Sequence, residues 1–378
     1  MTTAAFVVTL IQVWGGEMRR KAPIVVMTAA LCGLTITGCG ATDAPGARPI
    51  AAAHTAASQP DPSSPNGITP GTEAAAMPRA VISTAATGHL DAANNPEWMS
   101  SLPDGTPLAA ISIPGTHDTM SIHGGKAGPA VLTQEKFDTG CADPACTSAR
   151  TLSTQLGAGI RALDIRVRRD ELGNLAVQHG GFYQEIGLDD VLRVTEQFLA
   201  EHPRETVLLR VKAECTNDGK AFQCVDAGRQ PPDPALLDRV LNAHPRVWRP
   251  TATGSSAVPQ LGDVRGHIVI VRADGVDDRG LPLDVQDLWD GPSREEKWAA
   301  VAAQLDRAAT GGAQTLSVNF LSASGVPDPT KFPNRYADYE NQHALDQLRS
   351  RPGTATGVLM MDFPGPGLIG EIIGHNRH

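Results

Sequence analysis

The chain has 378 residues, 41% of them hydrophobic and 4% aromatic, with a formal net charge of −9. That length allows one large domain or two ordinary ones around a sizeable core. The mild acidity excludes an ordinary nucleic-acid binder, which needs a basic stripe to meet the phosphates.

In chain order, the N-terminus reads as an export signal. Met18-Arg19-Arg20-Lys21 is a basic start, and Ile24 to Ile36 form a mostly apolar run too short to span a bilayer as a stable helix. The run ends in Ile36-Thr37-Gly38-Cys39, which resembles a bacterial lipoprotein processing site. On that resemblance Cys39 is the lipidated first residue of the mature chain; an ordinary secretory cleavage nearby is the alternative. Residues 1–39 are thus assigned to the signal, with a misassigned start before Met18 as a further possibility. Residues 40–95 are rich in Ala, Pro, Ser, Thr and Gly and have almost no large apolar side chains. Burial there cannot offset ordering entropy, so a disordered tether is expected. Residues 96–378 remain as a single folded domain, expected on the outer face of a bacterial membrane or secreted.

Four cysteines lie beyond Cys39: Cys141, Cys146, Cys215 and Cys224. Export favours disulfides, and proximity favours Cys141–Cys146 and Cys215–Cys224 among three possible connectivities. A zinc site is the rival reading, but no histidine stands at ligand spacing beside either pair.

The domain shows repeated short β-like runs at 108–113, 160–165, 175–178, 206–211, 268–271, 316–318 and 358–361. Helical patterns separate several of them. Leu188, Val191, Leu192, Phe198 and Leu199 share one face. Ser293 with Glu296 forms a capping-box start ahead of Trp298, Val301, Ala302 and Leu305. A third pattern runs from Tyr336 to Leu348, stopped by Pro352. Strands alternating with helices argue for an α/β fold with a mostly parallel sheet. Seven or so strands over this length fit a (β/α) TIM-type barrel, regular or distorted, better than an open sheet. No Gly-rich dinucleotide or P-loop fingerprint supports the open alternative.

Many of the apolar runs end in an ionisable or amide residue: Asp164 and Arg166, His179, Lys212 and Glu214, Arg272, Asp287, Asn319 and Asp362. In a barrel those ends converge on one face. The first run meets Pro114-Gly115, read as a tight exit turn, then Thr116-His117-Asp118. His117 and His179 each follow an apolar run and sit beside glycine, so they stand out among 11 histidines as candidate base and acid. His123 lies in a Gly-rich loop and reads as a bystander. Asp164 and Arg166 are two apart, so on a strand both face one side, a guanidinium oriented by an acid and suited to a phosphate.

Taken together, Asn95-Pro96-Glu97-Trp98-Met99, the stretch from Ile111 to Asp118, Asp164-Ile165-Arg166, His179-Gly180, Lys212-Ala213-Glu214, Val285-Gln286-Asp287 and the Asp362 strand resemble the bacterial phosphatidylinositol-specific phospholipase C family, the X domain. That resemblance implies His117 as general base on the inositol 2-hydroxyl, with Asp362 orienting it. Arg166 stabilises the phosphate, and His179, supported by Asp118, protonates the leaving oxygen. Asp164, Lys212, Glu214, Arg272 and Asp287 belong to the head-group site, and Trp289 stands where the family commonly has a stacking tyrosine. The products are diacylglycerol and an inositol 1,2-cyclic phosphate, so the reaction is formally a lyase. A cation already stands at Arg166 where the eukaryotic relatives have a calcium ligand, so no calcium or other cofactor is expected. The partner is phosphatidylinositol in membranes or micelles, met through the lipid anchor and the barrel rim, by a monomer. A metal-dependent glycerophosphodiesterase on a similar barrel and a non-catalytic lipid-binding lipoprotein are the alternatives.

Overall fold

The computed structural model describes residues 86–88, 90–122, 147–214, 231–250, 257–325 and 328–377. Cys39, the four later cysteines, His123 and nearly all of the expected tether lie outside these residues.

Nine strands are present among the described residues: β1 Ile113–Thr116, β2 Ala162–Arg169, β3 Leu175–His179, β4 Phe182–Gly187, β5 Val207–Ala213, β6 Ile268–Asp274, β7 Leu283–Gln286, β8 Leu316–Phe320 and β9 Val358–Met361. The helices are α1 Ser148–Ala158, α2 Leu188–Glu201, α3 Pro234–Ala243, α4 Leu261–Val264, α5 Arg294–Thr310, α6 Pro333–Ser350 and α7 Pro366–Gly374. Seven strands run parallel in the order β6-β5-β2-β1-β9-β8-β7. The remaining two, β3 and β4, form an antiparallel hairpin on the far end of β2, at Val167 to Arg169. Between the terminal strands β6 and β7 no strand pairing occurs among the described residues. Side chains from β2, β5, β6, β7, β8 and β9 nevertheless line one common cavity of about 330 Å³. The sheet therefore curls into the expected barrel, with one unpaired seam.

Period-two alternation sorts each strand. Ala162, Leu208, Leu283, Leu316 and Val358 line the cavity from the starts of their strands, with Val285, Val318 and Met360 two residues on. The same alternation carries the inward face on to His117, Arg166, Lys212, Asp287 and Asp362 at the strand ends. Apolar residues therefore fill the lower barrel and ionisable ones its C-terminal mouth. Met99, Leu102, Leu108, Ile111, Leu261 and Val264 join the inner cluster, while the helices pack the outward strand residues into a second cluster. The capping box of α5 forms as expected: Glu296 N–H donates to Ser293 Oγ at 3.1 Å, and Ser293 N–H to Glu296 Oε2 at 2.8 Å.

Three expectations need correction. The run 108–113 is not a strand: Leu108–Ala110 is a 3-10 turn, and β1 begins at Ile113. Its apolar residues serve the inner cluster instead of a ladder. Pro114-Gly115 is not an exit turn but lies inside β1, paired with Leu359 and Met360. Glycine is required there by close strand approach, since a Cβ would sit 2.6 Å from Met360 Sδ and 2.8 Å from Ala162 Cβ. Gly115→Ala should therefore cost about 1–3 kcal/mol by overpacking; a denaturant midpoint equal to that of the unaltered protein would contradict this. Finally, the boundary expected after residue 95 falls inside ordered structure. Leu90 is fully buried, Gly365 N–H donates to the Ala86 carbonyl at 3.0 Å, and Asn95 Nδ2 donates to the Ala158 carbonyl at 2.9 Å. The lone large apolar Leu90 anchors a stretch whose composition otherwise suggests disorder.

Candidate active site

Two strained turns mount the centre. Asp118, just past β1, has φ 44°, and Phe363, just past β9, has φ 48°. Left-handed backbone at non-glycine residues costs about 1–3 kcal/mol each and persists where surrounding structure over-determines it. Here Asp118 N–H donates to Asp164 Oδ2 at 3.0 Å, and Asn341 Nδ2 donates to the Asp362 carbonyl at 2.8 Å.

His117 and Asp362 meet at 2.9 Å through Nδ1 and Oδ1. The other ring nitrogen, Nε2, accepts from Arg166 Nη2 at 2.6 Å. A guanidinium can only donate, so Nε2 carries the lone pair and Nδ1 the proton shared with Asp362. Burial pushes the His117 imidazole down, but the charge and hydrogen bond of Asp362 outweigh it, and the Arg166 charge, and hold the pKa above the ordinary value.

Arg166 is the hub. Its Nε and Nη2 each lie 3.3 Å from Asp164 Oδ2. Its Nη1 lies 3.6 Å from Asp118 Oδ2 and 3.7 Å from Glu214 Oε2. Burial works against the charged guanidinium, yet Asp118, Asp164, Glu214 and Asp287 together keep its pKa well above the usual value. Asp164 is fully buried; burial would raise its pKa, but Arg210, Arg166 and His117 hold it far below the carboxylate range. His179 reaches the Asp118 carboxylate that also meets Arg166, with Nε2 3.3 Å from Asp118 Oδ2, and its Nδ1 is 2.8 Å from Ser121 Oγ. In this mostly buried set the two imidazoles keep 19% and 20% of their side-chain surface exposed, so both can reach a ligand.

The sequence-derived candidates thus divide. His117, Asp362, Arg166, Asp164, Asp118, His179 and Glu214 form one contiguous network. Glu214 also anchors the turn after His179, accepting from Gly180 N–H at 2.7 Å. Lys212 adjoins them, and the repulsion of Arg166, then burial, lowers its pKa. Arg272 is 51% exposed and bound to Asp274 at 2.9 Å; Asp287 and Trp289 are also exposed. These three stand on β6 and the loop after β7; Arg272 joins the network through Asp274, which Arg210 links to Asp164, and Asp287 acts on Arg166 through its charge. Sequence reasoning missed Arg210, Asp274 and Ser121. Arg210 stands two before Lys212 and Asp274 two after Arg272, the spacing that singled out Asp164 and Arg166. Two proton-transfer groups on either side of a fixed cation suit attack on an anionic diester, with base, acid and charge neutralisation supplied together.

Comparison with known proteins points to one family. Residues 142–273 match the family model described as phosphatidylinositol-specific phospholipase C, X domain. A 1-phosphatidylinositol phosphodiesterase from Listeria monocytogenes is 33% identical over 299 residues, covering 74% of this chain and 85% of that protein. One of the same name from Staphylococcus aureus is 25% identical over 313 residues, covering 74% and 94%. The solved structure of the phosphatidylinositol-specific phospholipase C from Listeria monocytogenes superposes with a TM-score of 0.55 at 28% identity, over 75% of this chain and 99% of that one.

Proposed function

The chain belongs to the phosphatidylinositol-specific phospholipase C family, and on that premise we propose that it cleaves phosphatidylinositol by intramolecular attack of the inositol 2-hydroxyl on the phosphodiester. The 2-oxygen forms a bond to phosphorus, and its proton passes to His117 Nε2. The bond from phosphorus to the diacylglycerol oxygen breaks, and that oxygen takes a proton from His179. Diacylglycerol and inositol 1,2-cyclic phosphate result. The nucleophile belongs to the substrate and has a high effective concentration, so no covalent enzyme intermediate is needed. Asp362 holds the base in its reactive tautomer and stabilises the imidazolium that forms. Asp118 links His179 to Arg166, which stabilises the charge that grows on the phosphate. Lys212, Glu214, Arg272 and Asp287 bind the inositol hydroxyls, and Trp289 offers a flat ring face.

The observation that carries this reading is the seating of one guanidinium between two imidazoles, 2.6 Å from His117 and joined to His179 through Asp118. Calcium independence belongs to the same reading, because Arg166 supplies the positive charge at the phosphate. So do an exported, monomeric enzyme lipidated at Cys39, disulfides Cys141–Cys146 and Cys215–Cys224, and contact with phosphatidylinositol membranes through the anchor and the barrel rim. Among the described residues no helix is long and apolar enough to cross a membrane.

The test is incubation of the full chain with phosphatidylinositol micelles in excess chelator, with products read by phosphorus NMR. A five-membered cyclic phosphate signal and stoichiometric diacylglycerol are expected. Activity that appears only with added metal, on glycerophosphoinositol in place of the lipid, would replace this reading with a metal-dependent phosphodiesterase.

A further inference from the structure

Arg210 takes no part in the mechanism above, yet it is the firmest partner of the acid behind Arg166. Its side chain is 15% exposed. Nη1 donates to Asp164 Oδ1 at 2.9 Å, and Nε donates to Asp274 Oδ2 at 2.6 Å. Its guanidinium carbon lies 5.1 Å from the centre of the Phe320 ring, and that ring meets His117 edge-on at 6.0 Å. Asp164 therefore gives one oxygen to each guanidinium. The contact to Arg210 is a short charge-assisted bond, whereas both contacts to Arg166 are long, at 3.3 Å.

We propose, on the functional reading above, that Arg210 is a positioning residue: by engaging Asp164 it limits that acid to long contacts with Arg166, whose charge stays available to the substrate phosphate. The electrostatic count supports this. His117 is faced by Asp362 on the β9 side and by Arg166 and Asp164 on β2. Arg210 is faced by Asp164 and Arg166 on β2 and Asp274 on β6, with Lys212 on its own strand and Arg272 beyond Asp274. Without Arg210, the whole charge of Asp164 falls on Arg166 and His117. Arg166 is then drawn inward, and the imidazolium form of His117 is favoured.

The alternative is a structural rivet joining β2, β5 and β6. Three variants separate the two roles: Arg210→Gln, Arg210→Lys, and Arg210→Gln combined with Asp274→Asn. The double change also neutralises Asp274, whose charge would otherwise be met by Arg272 without Arg210, so a variant that folds is available even if Arg210→Gln alone does not. Positioning predicts that Arg210→Gln, or the double variant, loses about 100-fold in kcat/KM, as a small misplacement of a catalytic group does. It also predicts that the His117 titration, followed by NMR in the substrate-free protein, moves up by about one pH unit. The double variant should recover thermal stability and keep both defects. Arg210→Lys keeps the charge but not the fork, so its His117 titration should stay near that of the unaltered protein. The rivet is the right account if the double variant regains full kcat/KM and an unshifted His117 titration together with its stability. The NMR measurement needs no substrate, so inactivity of the unaltered protein on phosphatidylinositol would overturn the functional reading and leave the Arg210 test standing.

Discussion

Replacing His117 by alanine should slow phosphatidylinositol cleavage by about 10²–10⁴-fold, and replacing His179 should do the same, the range for loss of a positioned general base or acid. The two losses should not add, because each imidazole works within one proton-transfer cycle. Steady-state assays on micelles with matched circular dichroism would check this, and turnover within tenfold of the unaltered protein for either variant would end the assignment. The pH dependence carries a sign. His117 acts as a base only when neutral, and burial, which lowers its pKa, is outweighed by Asp362, which raises it. kcat/KM should therefore fall as the pH drops through a value above that of an ordinary histidine. Asp362→Asn removes the raising charge while keeping a hydrogen-bonding group, so the acid limb should move to lower pH as the rate falls.

At the opposite end of the barrel, Arg161→Met should destabilise the fold by about 3–5 kcal/mol, the cost of breaking a buried ion pair from one side. Arg161 is fully buried just before β2. It binds Glu205 Oε2 at 2.9 Å, donates to the carbonyls of Leu156 at 2.7 Å, Ile160 at 2.9 Å and Pro96 at 2.7 Å, and lies 4.5 Å from the Phe198 ring centre. Burial pushes the Arg161 guanidinium down to about 10 and pushes Glu205 up. Both shifts say that the pair is costly to bury and tolerable only intact. Calorimetry should show a melting temperature lower by about 10 °C. Adding Glu205→Gln should restore part of the loss, since the neutral amide removes the stranded charge while the carbonyls stay unpaired. A single variant that melts within 2 °C of the unaltered protein, by the same scale, would show that the pair contributes little. Activity per folded molecule should be unchanged, because the pair sits at the N-terminal end of β2 and the reaction at the C-terminal ends.

The contrast between Arg161, just before β2, and Arg166, five residues on within it, shows how far the sequence could be read. Two-residue spacing from Asp164 marked Arg166 as sharing its face, and that local rule held. Arg210 obeys the same rule relative to Lys212 but was missed, because candidates were taken from the ends of the runs and Arg210 lies in the middle of β5. The strand β9 matched its apolar run from Val358 to Met361, while β7 and the hairpin strand β4 were not read as strands. β7 alternates Leu283-Asp284-Val285-Gln286 over four residues only, the shortest stretch in which a period can be read, and β4 has no clean alternation.

Periodicity, capping chemistry and strand-end residues are local properties, and the chain by itself determined them: an α/β alternation, the start of α5, and most of the residues at the barrel mouth. The tertiary structure decided which of those residues touch. His117 and Asp362 are 245 positions apart, and only the closing of β1 against β9 brings them to hydrogen-bond distance. It also decided that Asp164 is shared between two guanidiniums and that Arg272, Asp287 and Trp289 are exposed. Curvature of the sheet sets these distances, and curvature arises from the packing of every strand and helix together, which no single stretch of sequence records.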